Sequence, residues 1–353
     1  MKQTMLEFEL DLDKMPLGKL SKAQLLEACS TLKEIAGLIE GASGSGSAGS
    51  SKSTAAQQPL SLNKMQAATN KFYSLVPHNF GAQCPPLIKS AAQIAAKMQM
   101  LESLMDIELA YDIMKQEGGE GGSAEPVDPI DAHYQKLNTA IEPLDPTSKE
   151  FELIQTYLRN THAATHSGYS LEIVHVFKVE RAGEAERFAP HRANENRMLL
   201  WHGSRLTNFP GILSQGLRIA PPEAPVCGYM FGKGVYFADS VSKSANYCVT
   251  SPHNNEGLML LSEVAIGKSQ ELRDSKFVTS LPKKYSSVKG IGETQPDPSA
   301  MHVMEDGVKV PMGKMVRALS DKPSSLLYNE YIVYSEEQIK LRYLLNVKFN
   351  YNN

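Results

Sequence analysis

The sequence lacks the features that mark several common classes of protein. Its 353 residues carry a formal net charge of −3, so it has no basic excess of the kind that nucleic-acid-binding domains show. The four cysteines contain no C-x-x-C pair, which predicts neither a zinc cage nor a disulfide framework. The N terminus has no apolar signal core, and no run approaches the roughly 20 apolar residues of a membrane span. We therefore expect no membrane partner.

Familiar nucleotide and metal motifs are missing as well. The stretch 228–234 is one residue short of a P-loop, and the Gly-Lys-Ser run at 267–269 has Ser262 where the first glycine belongs. No G-x-G-x-x-G follows a predicted strand, which disfavours hydride chemistry on a Rossmann fold. His162 and His166 are four residues apart but have no third ligand nearby, so we predict no metal site.

The most informative stretch runs from Leu199 to Tyr247. Short apolar runs, such as 198–201 and 235–238, end in clusters of His, Ser, Gly, Arg and Tyr, as when strands deliver polar groups to a cleft. Glycines recur at 203, 216, 228, 232 and 234, which indicates tight turns or close backbone approach. These patterns predict a nucleotide-sized site on the ends of strands.

Several motifs of this stretch carry a family resemblance. They are Leu-Leu-Trp-His-Gly-Ser-Arg at 199–205, Gly-Tyr-Met-Phe-Gly-Lys-Gly-Val-Tyr-Phe-Ala-Asp at 228–239, Ser-Lys-Ser-Ala-Asn-Tyr at 242–247 and Tyr-Asn-Glu-Tyr at 328–331. Together they resemble the catalytic domain of the poly(ADP-ribose) polymerases. Three further runs, at 16–20, 77–81 and 106–108, resemble the helical regulatory domain of the DNA-damage-activated members. The resemblance covers nearly the whole chain.

The resemblance implies a site that consumes NAD as a substrate and needs no cofactor. A catalytic His-Tyr-Glu triad carries over onto His202, Tyr236 and Glu330, and Lys243 points into the same site. Gly203 offers backbone groups to the carboxamide of nicotinamide, Ser244 adds its hydroxyl, and Tyr247 stacks on the ring. The NAD-binding set is completed by Ser204, Asn208, Arg218, Tyr229, Phe237 and Ala238.

Further expectations concern the acceptor and regulation. Met230 and Tyr328 are predicted acceptor-side contacts, and Glu102 and Asp106 are the acidic positions of the regulatory helix. The segment Gly216–Gly234 resembles the donor-site loop, and Lys268–Met312 is expected to be a longer acceptor-side loop. Glu330 implies chain elongation, because relatives with an apolar residue there add a single unit.

The predicted fold is α+β, with an all-α bundle followed by an ADP-ribosyltransferase fold of mostly antiparallel sheets. Capping-box patterns at Ser21/Gln24 and Ser90/Gln93 begin helices, the second of which carries the apolar line Ile94, Met98, Leu101, Met105 and Met114. The expected domains are 1–118 (helical, with a flexible Gly/Ser loop at 41–58), a linker at 119–127, and the transferase at 128–353. Further helices are predicted at Ser61–Leu75 and Ser148–Arg159, and strands at Leu171–Val179, Leu258–Ile266, Tyr331–Tyr334 and Leu341–Phe349.

Three functions compete at this point. The first is a poly(ADP-ribose) transferase that modifies itself and other proteins, including histones; the others are a mono-ADP-ribosyltransferase or NAD glycohydrolase, and a catalytically silent NAD-binding module. The resemblance implies that the helical domain is autoinhibitory and that DNA acts only through upstream domains absent from this chain. The abrupt start favours a fragment of a longer protein, and the family implies a nuclear location.

Overall fold

The computed structural model describes residues 1–43, 57–115, 128–225, 229–318 and 323–352. The chain divides into two compact units. Met1–Ser123 together with Ala220–Tyr229 form one, which we call the helical unit, and Ala124–Ile219 with Met230–Asn353 form the other, the sheet unit. Among the described residues, the helices are all too short or too polar to cross a bilayer.

The helical unit contains helices α1 (Lys2–Glu7), α2 (Lys22–Ser43), α3 (Gln57–Leu75) and α4 (Ala91–Lys115). The Oγ atoms of Ser21 and Ser90 accept the N–H groups of Gln24 and Gln93, at 3.1 and 3.2 Å, so both predicted caps are confirmed. Leucines, isoleucines and Phe72 from α2, α3 and α4 share one apolar core. Met98 is buried in it, but Met114 is 49% exposed, so the predicted apolar stripe of α4 ends before that residue.

The predicted loop 41–58 is shorter at both ends than we expected. Helix α2 continues to Ser43, and α3 begins at Gln57 rather than at Ser61. Pro59 falls in the first turn of α3, where a missing backbone N–H costs no helical hydrogen bond. Residues 44–56 and the predicted linker 119–127 lie outside the described residues.

The sheet unit contains five α-helices and fourteen strands among its described residues. The helices are α5 (Pro129–Lys136), α6 (Lys149–Asn160), α7 (Glu184–Phe188), α8 (Phe209–Gln215) and α9 (Val241–Ala245). The strands are β1 (Thr139–Pro143), β2 (Tyr169–Arg181), β3 (Arg197–Gly203), β4 (Val235–Phe237), β5 (Glu256–Ala265), β6 (Ser269–Leu272), β7 (Ser287–Gly290), β8 (Gly292–Pro296), β9 (Met301–Val303), β10 (Lys309–Pro311), β11 (Met315–Arg317), β12 (Leu326–Tyr328), β13 (Glu330–Val333) and β14 (Ile339–Tyr351).

The strands form three sheets, in the orders β1-β2-β14-β5-β3-β10-β9, β4-β13-β7-β6 and β11-β8-β12. The long pairs β2/β14, β14/β5 and β5/β3 are antiparallel, and β3/β10, β8/β12 and β6/β7 are parallel. The predicted α+β class with mostly antiparallel sheets is therefore confirmed. The bounds of the predicted helix and strands of this unit lie within one or two residues of those of α6, β2, β5, β13 and β14.

The segment Lys268–Met312 is not the long loop that we expected. It contains strands β6 to β10, and β7 pairs with β13 while β10 pairs with β3. These strands are three to five residues long, too short to show a clear alternation of apolar and polar residues. Their pairing depends on partners that are distant in the sequence.

Two pairings bring the strands that carry the candidate site together. Trp201 on β3 and Ala238 exchange both backbone hydrogen bonds, at 2.9 and 3.0 Å, which joins the segment after β4 to the large sheet. On its other side β4 pairs antiparallel with β13, with Tyr236 opposite Ile332. The end of β3, the middle of β4 and the start of β13 therefore lie side by side.

Candidate active site

His202 lies one residue before the end of β3 and is held by β4. Its Nδ1 is 2.9 Å from the carbonyl oxygen of Tyr236. A carbonyl only accepts, so Nδ1 carries the proton and Nε2 is left as the acceptor atom of the ring. Burial lowers the pKa of His202, which keeps the imidazole neutral at neutral pH. The residue therefore presents a neutral ring with a fixed orientation.

Tyr236 is the central residue of β4, and the turn before that strand fixes its hydroxyl group. The hydroxyl donates to the carbonyl of Gly232 at 2.8 Å and accepts the N–H of Phe231 at 3.0 Å. Gly232 has φ +87°, and a Cβ there would lie 2.2 Å from the carbonyl oxygen of Val278, so the turn requires glycine. Burial raises the pKa of Tyr236, so its phenol stays neutral.

Glu330 is the first residue of β13 and forms an ion pair with Lys243 on α9. The Nζ of Lys243 lies 2.5 Å from Oε1 of Glu330, and it also donates to the carbonyl of Tyr328 at 3.3 Å. The other carboxylate oxygen, Oε2, is buried and has no hydrogen-bond partner among the described residues. Buried acceptors are normally paired, so Oε2 is an acceptor that a bound hydroxyl can satisfy.

Gly203 ends β3 against the backbone of α9. A Cβ at Gly203 would lie 1.9 Å from the carbonyl oxygen of Ser244, so only glycine permits this approach. The hydroxyl of Ser244 donates to the carbonyl of Trp201 at 3.1 Å, and its oxygen keeps the capacity to accept. These two residues place backbone and hydroxyl groups next to each other, as recognition of a planar amide requires.

Tyr247 follows α9 and is 54% exposed, so much of its ring is open to a ligand. A planar heteroaromatic ligand gains from stacking on such a face. Lys243, Ser244 and Tyr247 all come from the short segment 243–247, and β3, β4 and β13 supply Gly203, Tyr236 and Glu330. The structure therefore brings together the predicted triad, Lys243 and the predicted nicotinamide contacts within the sheet unit.

Other predicted NAD contacts have different surroundings. Phe237 and Ala238 are buried in the core, and Ala238 acts through its backbone bonds to Trp201. The amide of Asn208 donates to Ser204 Oγ at 3.0 Å, so these two residues orient each other. Arg218 is exposed and donates to Gln215 Oε1 at 2.7 Å. Their roles in binding NAD stay predictions.

Tyr229 belongs to the helical unit with the rest of Ala220–Tyr229. Its hydroxyl donates a short hydrogen bond to Oε1 of Glu102 on α4. Burial raises the pKa of Glu102, and the negative charge of Asp106, one turn further along the helix, raises it further. The two predicted acidic residues of the regulatory helix, Glu102 and Asp106, thus lie one turn apart on α4. Glu102 bonds to Tyr229, which is part of the predicted donor-site loop.

The two predicted acceptor-side residues are partly or fully buried. Met230 packs against the cluster of Phe231 and Val278, and Tyr328 is 5% exposed. The hydroxyl of Tyr328 forms a short hydrogen bond with that of Thr165, and its ring centroid is 5.2 Å from that of His166. Contact of either side chain with an acceptor stays a prediction.

The two histidines that stood four residues apart make ordinary hydrogen bonds. His162 Nε2 lies 3.1 Å from the carbonyl oxygen of His166, and His166 Nδ1 lies 2.8 Å from Ser242 Oγ. No group of three metal-ligating side chains occurs among the residues that the structure describes.

One buried carboxylate at the site was missed by reasoning from the sequence. Asp239 is 2% exposed and bonds to both neighbours of Glu330, Asn329 and Tyr331. Its signal in the sequence is an acidic residue directly after the apolar run 235–238. Such a residue is also common at the solvated end of a strand, so the pattern alone does not show that it is buried.

Comparison with known families agrees with this site. A family model described as the poly(ADP-ribose) polymerase catalytic domain matches residues 148–349, and one described as the poly(ADP-ribose) polymerase regulatory domain matches residues 1–134. The chain belongs to the poly(ADP-ribose) polymerase family.

Individual relatives are similar over almost the whole chain. The chain is 52% identical over 351 residues to a poly [ADP-ribose] polymerase of Sarcophaga peregrina, and the match covers 99% of this chain and 33% of the relative. Identity to poly [ADP-ribose] polymerase 1 of Gallus gallus is also 52%, over 99% of this chain and 32% of the relative. Identity to poly [ADP-ribose] polymerase 2 of Arabidopsis thaliana is 45%, over 99% of this chain and 52% of the relative. The chain thus spans about a third of the length of the first two relatives.

The boundary between the two domains differs between the structure and the family matches. The compact units divide between Ser123 and Ala124, whereas the regulatory match runs to residue 134 and the catalytic match begins at residue 148. The expected boundaries at 118 and 128 stay a prediction.

Proposed function

We propose that this chain transfers ADP-ribose from NAD to protein side chains, elongates the product and releases nicotinamide. NAD is consumed as a substrate, and no separate cofactor takes part. The observation that supports this function most is the arrangement around Glu330, whose unpaired Oε2 and Lys243-bound Oε1 lie at the start of β13, the strand that pairs with β4.

The reaction breaks the bond between C1′ of the ribose and the nicotinamide nitrogen, and the bonding electrons neutralise the pyridinium. The positive charge that develops on the ribose is stabilised by a nearby carboxylate, and Glu330 fills this role. Its Oε2 accepts a hydrogen bond from the ribose 2′-hydroxyl. When the acceptor is a hydroxyl, its oxygen bonds to C1′ and its proton passes to the carboxylate.

Binding is shared between two groups of residues. Gly203 and Ser244 hold the carboxamide, and the rings of Tyr236 and Tyr247 flank the nicotinamide. His202 binds the adenosine-side ribose through Nε2, since Nδ1 is already bonded to β4. Ser204, Asn208, Arg218 and Tyr229 extend the site along the adenosine half, with Met230 and Tyr328 on the acceptor side.

The experiment is to incubate the chain with labelled NAD and to measure nicotinamide release and the size of the protein-linked product. We expect a ladder of long products that shortens to single units or hydrolysis in Glu330→Gln. The matched control is Glu337→Gln, an exposed glutamate on the same part of the chain. Single-unit product from the unchanged chain would show a mono-transferase, and no release of nicotinamide would show a binding module.

We also propose that the helical unit restrains this activity. The segment Ala220–Tyr229 is part of the predicted donor-site loop Gly216–Gly234. It groups with the helical unit, where Ala224 is buried and Tyr229 bonds to Glu102. Removal of residues 1–127 is expected to raise the basal rate. Equal rates for the truncated and full chains would refute the restraint.

The remaining assignments rest on the family. Acceptors include the protein itself and histones, the location is nuclear, and DNA breaks act through segments outside this chain. Addition of broken DNA to this chain alone is therefore expected to leave its rate unchanged. A stimulated rate would show a DNA-responsive surface within these 353 residues.

A further inference from the structure

Asp239 forms a buried hydrogen-bonded cluster behind Glu330. Its Oδ2 accepts the Nδ2–H of Asn329 at 2.8 Å and the hydroxyl of Tyr331 at 3.0 Å. All three side chains are at most 4% exposed. The other oxygen, Oδ1, is buried and has no hydrogen-bond partner among the described residues. Burial of a carboxylate is costly, so the two bonds to Oδ2 are the contacts that hold these three side chains in defined positions.

The residues that bond to Asp239 are the two chain neighbours of Glu330. Side chains at alternate positions of an extended strand share one face, so Asn329 and Tyr331 point to one side and Glu330 to the other. Asp239 therefore holds β13 from behind and does not compete with a ligand for Glu330.

Asn329 is fixed at both ends of its amide. Its Oδ1 accepts the backbone N–H of Gly292 at 2.9 Å, and a backbone N–H can only donate. This bond determines that Nδ2 faces Asp239. Gly292 in turn has no room for a side chain, because a Cβ there would lie 2.3 Å from the carbonyl carbon of Tyr328. The backbone just before Glu330 is thus constrained from two sides.

Asp239 also connects this strand to the segment that carries the other site residues. It directly follows Ala238, which is bonded through its backbone to Trp201, and a single residue, Ser240, separates it from α9. Helix α9 carries Lys243, whose ammonium pairs with Glu330. One carboxylate therefore links the start of β13 to the start of α9, the two segments whose separation determines the Lys243–Glu330 distance.

We propose that Asp239 is a positioning residue for the transfer reaction, which sets the distance between Glu330 and Lys243 through Asn329 and Tyr331. This proposal rests on the proposed function. The competing explanation is a cluster that only stabilises the fold.

The test compares Asp239→Ala and Asp239→Asn with a matched control in the full chain. The control is Glu184→Ala, because Glu184 is another buried carboxylate with three donors, Arg181, Arg187 and the N–H of Leu341, away from the site. The measurements are kcat for nicotinamide release, KM for NAD and the melting temperature. Asp239→Ala is expected to lower kcat roughly 10- to 100-fold with KM changed less than about threefold.

The conservative variant separates positioning from stability. The amide oxygen of Asp239→Asn can still accept both donors, so we expect it to recover most of kcat. Glu184→Ala is expected to lower the melting temperature as much as Asp239→Ala while leaving kcat unchanged. Equal kcat losses in Asp239→Ala and Glu184→Ala, or a kcat of Asp239→Ala within about twofold of the unchanged chain, would overturn the proposal.

A second readout does not depend on activity. In a crystal structure of Asp239→Ala we expect the Lys243 Nζ–Glu330 Oε1 pair, 2.5 Å apart here, to be broken. A pair that stays intact would overturn the positioning role. If the unchanged chain releases no nicotinamide, the proposed function is refuted instead, and the crystal structure still tests the positioning role. If Asp239→Ala does not fold, Tyr331→Phe removes one of the two bonds with little change of volume and is expected to show a smaller effect of the same kind.

Discussion

The helical unit and the sheet unit bury very different side chains. Among the described residues, the buried carboxylates Glu184, Asp239 and Glu263 are all in the sheet unit. The helical unit buries an apolar core, and its buried polar side chains are Thr31, Thr69, His78 and Ser103. Burial of a carboxylate costs free energy that apolar packing does not. Burial also raises the pKa of Glu102 in the helical unit, but the three least exposed carboxylates all lie in the unit that holds the site, which therefore carries more of this electrostatic cost.

This difference shows how the two units are suited to different tasks. A transfer site needs charged groups held in fixed positions, and a low-exposure pair such as Lys243–Glu330 provides them. A regulatory helical bundle needs no fixed charges, and its helices are held together by one shared apolar core. The following predictions test the comparison, from the largest expected effect to the smallest.

The ion pair of the sheet unit is expected to be the most costly to break. Lys243→Met leaves the Glu330 carboxylate, whose side chain is 15% exposed, without its counter-ion. We expect the free energy of unfolding to fall by about 4 kcal/mol, as for other buried pairs that lose one partner. Chemical denaturation measures the change, and nicotinamide release is expected to fall with it.

The control for this change is a pair in the helical unit. Lys71 and Glu27 lie 3.0 Å apart with side chains 52% and 53% exposed. Lys71→Met is expected to change stability by less than about 1 kcal/mol. Equal losses from Lys243→Met and Lys71→Met would remove the distinction between the units.

A cavity in the helical core is expected to have opposite effects on stability and activity. Leu101 on α4 is fully buried, so Leu101→Ala should destabilise the helical unit by about 3 kcal/mol. Because we propose that this unit restrains the enzyme, the basal rate of nicotinamide release should rise. Leu62→Ala on α3 is the control, since Leu62 is 56% exposed and should alter neither quantity. A lower rate in Leu101→Ala would contradict the restraint.

Gly203 tests the close approach of β3 and α9. In Gly203→Ala the new methyl group meets the carbonyl oxygen of Ser244, so the backbones must separate. We expect a loss of stability of about 2 kcal/mol, together with weaker binding of nicotinamide, measured by calorimetry. Gly168→Ala is a suitable control, because nothing lies within 4 Å of its added Cβ. Unchanged nicotinamide binding in Gly203→Ala would argue against Gly203 as a contact.

The helical unit is expected to lose stability in mild acid through His78. Burial, together with the positive charge of Lys97, lowers its pKa to about 4 from 6.5. The unfolded chain therefore takes up a proton between these values while the folded chain does not, so stability rises with pH through this window. Relative to pH 8, the loss at pH 5.5 is about 1.4 kcal/mol for this group.

Denaturation midpoints measured at a series of pH values between 8 and 5 check this effect. His78→Phe removes the titrating group and should flatten this part of the profile. His175 on β2 supplies a control, because it is exposed, so His175→Phe should leave the slope unchanged. A slope that persists in His78→Phe would assign the effect to another group.

Local patterns in the sequence were sufficient for much of the fold and for the centre of the site. The capping boxes at Ser21 and Ser90 depend on residues three apart, and the strands of 10 or 13 residues, β2, β5 and β14, are long enough to be predicted from their own composition. The triad and Gly203 stand in motifs whose resemblance to the family is specific.

The rest depends on contacts between distant parts of the chain. Strands β6 to β10 are short and are defined by their partners, so the segment that contains them read as a loop. The grouping of Ala220–Tyr229 with the helices follows from packing against a core about 120 or more residues earlier in the chain, which no local pattern records. Asp239 was missed because its partners, Asn329 and Tyr331, are 90 and 92 residues away.

The most direct test of the central claim is a crystal structure of the chain with benzamide, which shares the carboxamide and the planar ring of nicotinamide. We predict that its carboxamide bonds to the backbone of Gly203 and to Ser244 Oγ, that Tyr247 stacks on its ring, and that Glu330 keeps its pair with Lys243. Benzamide bound elsewhere, or not bound at a concentration that saturates an NAD-competitive assay, would contradict the assignment of the strand ends of the sheet unit as the NAD site.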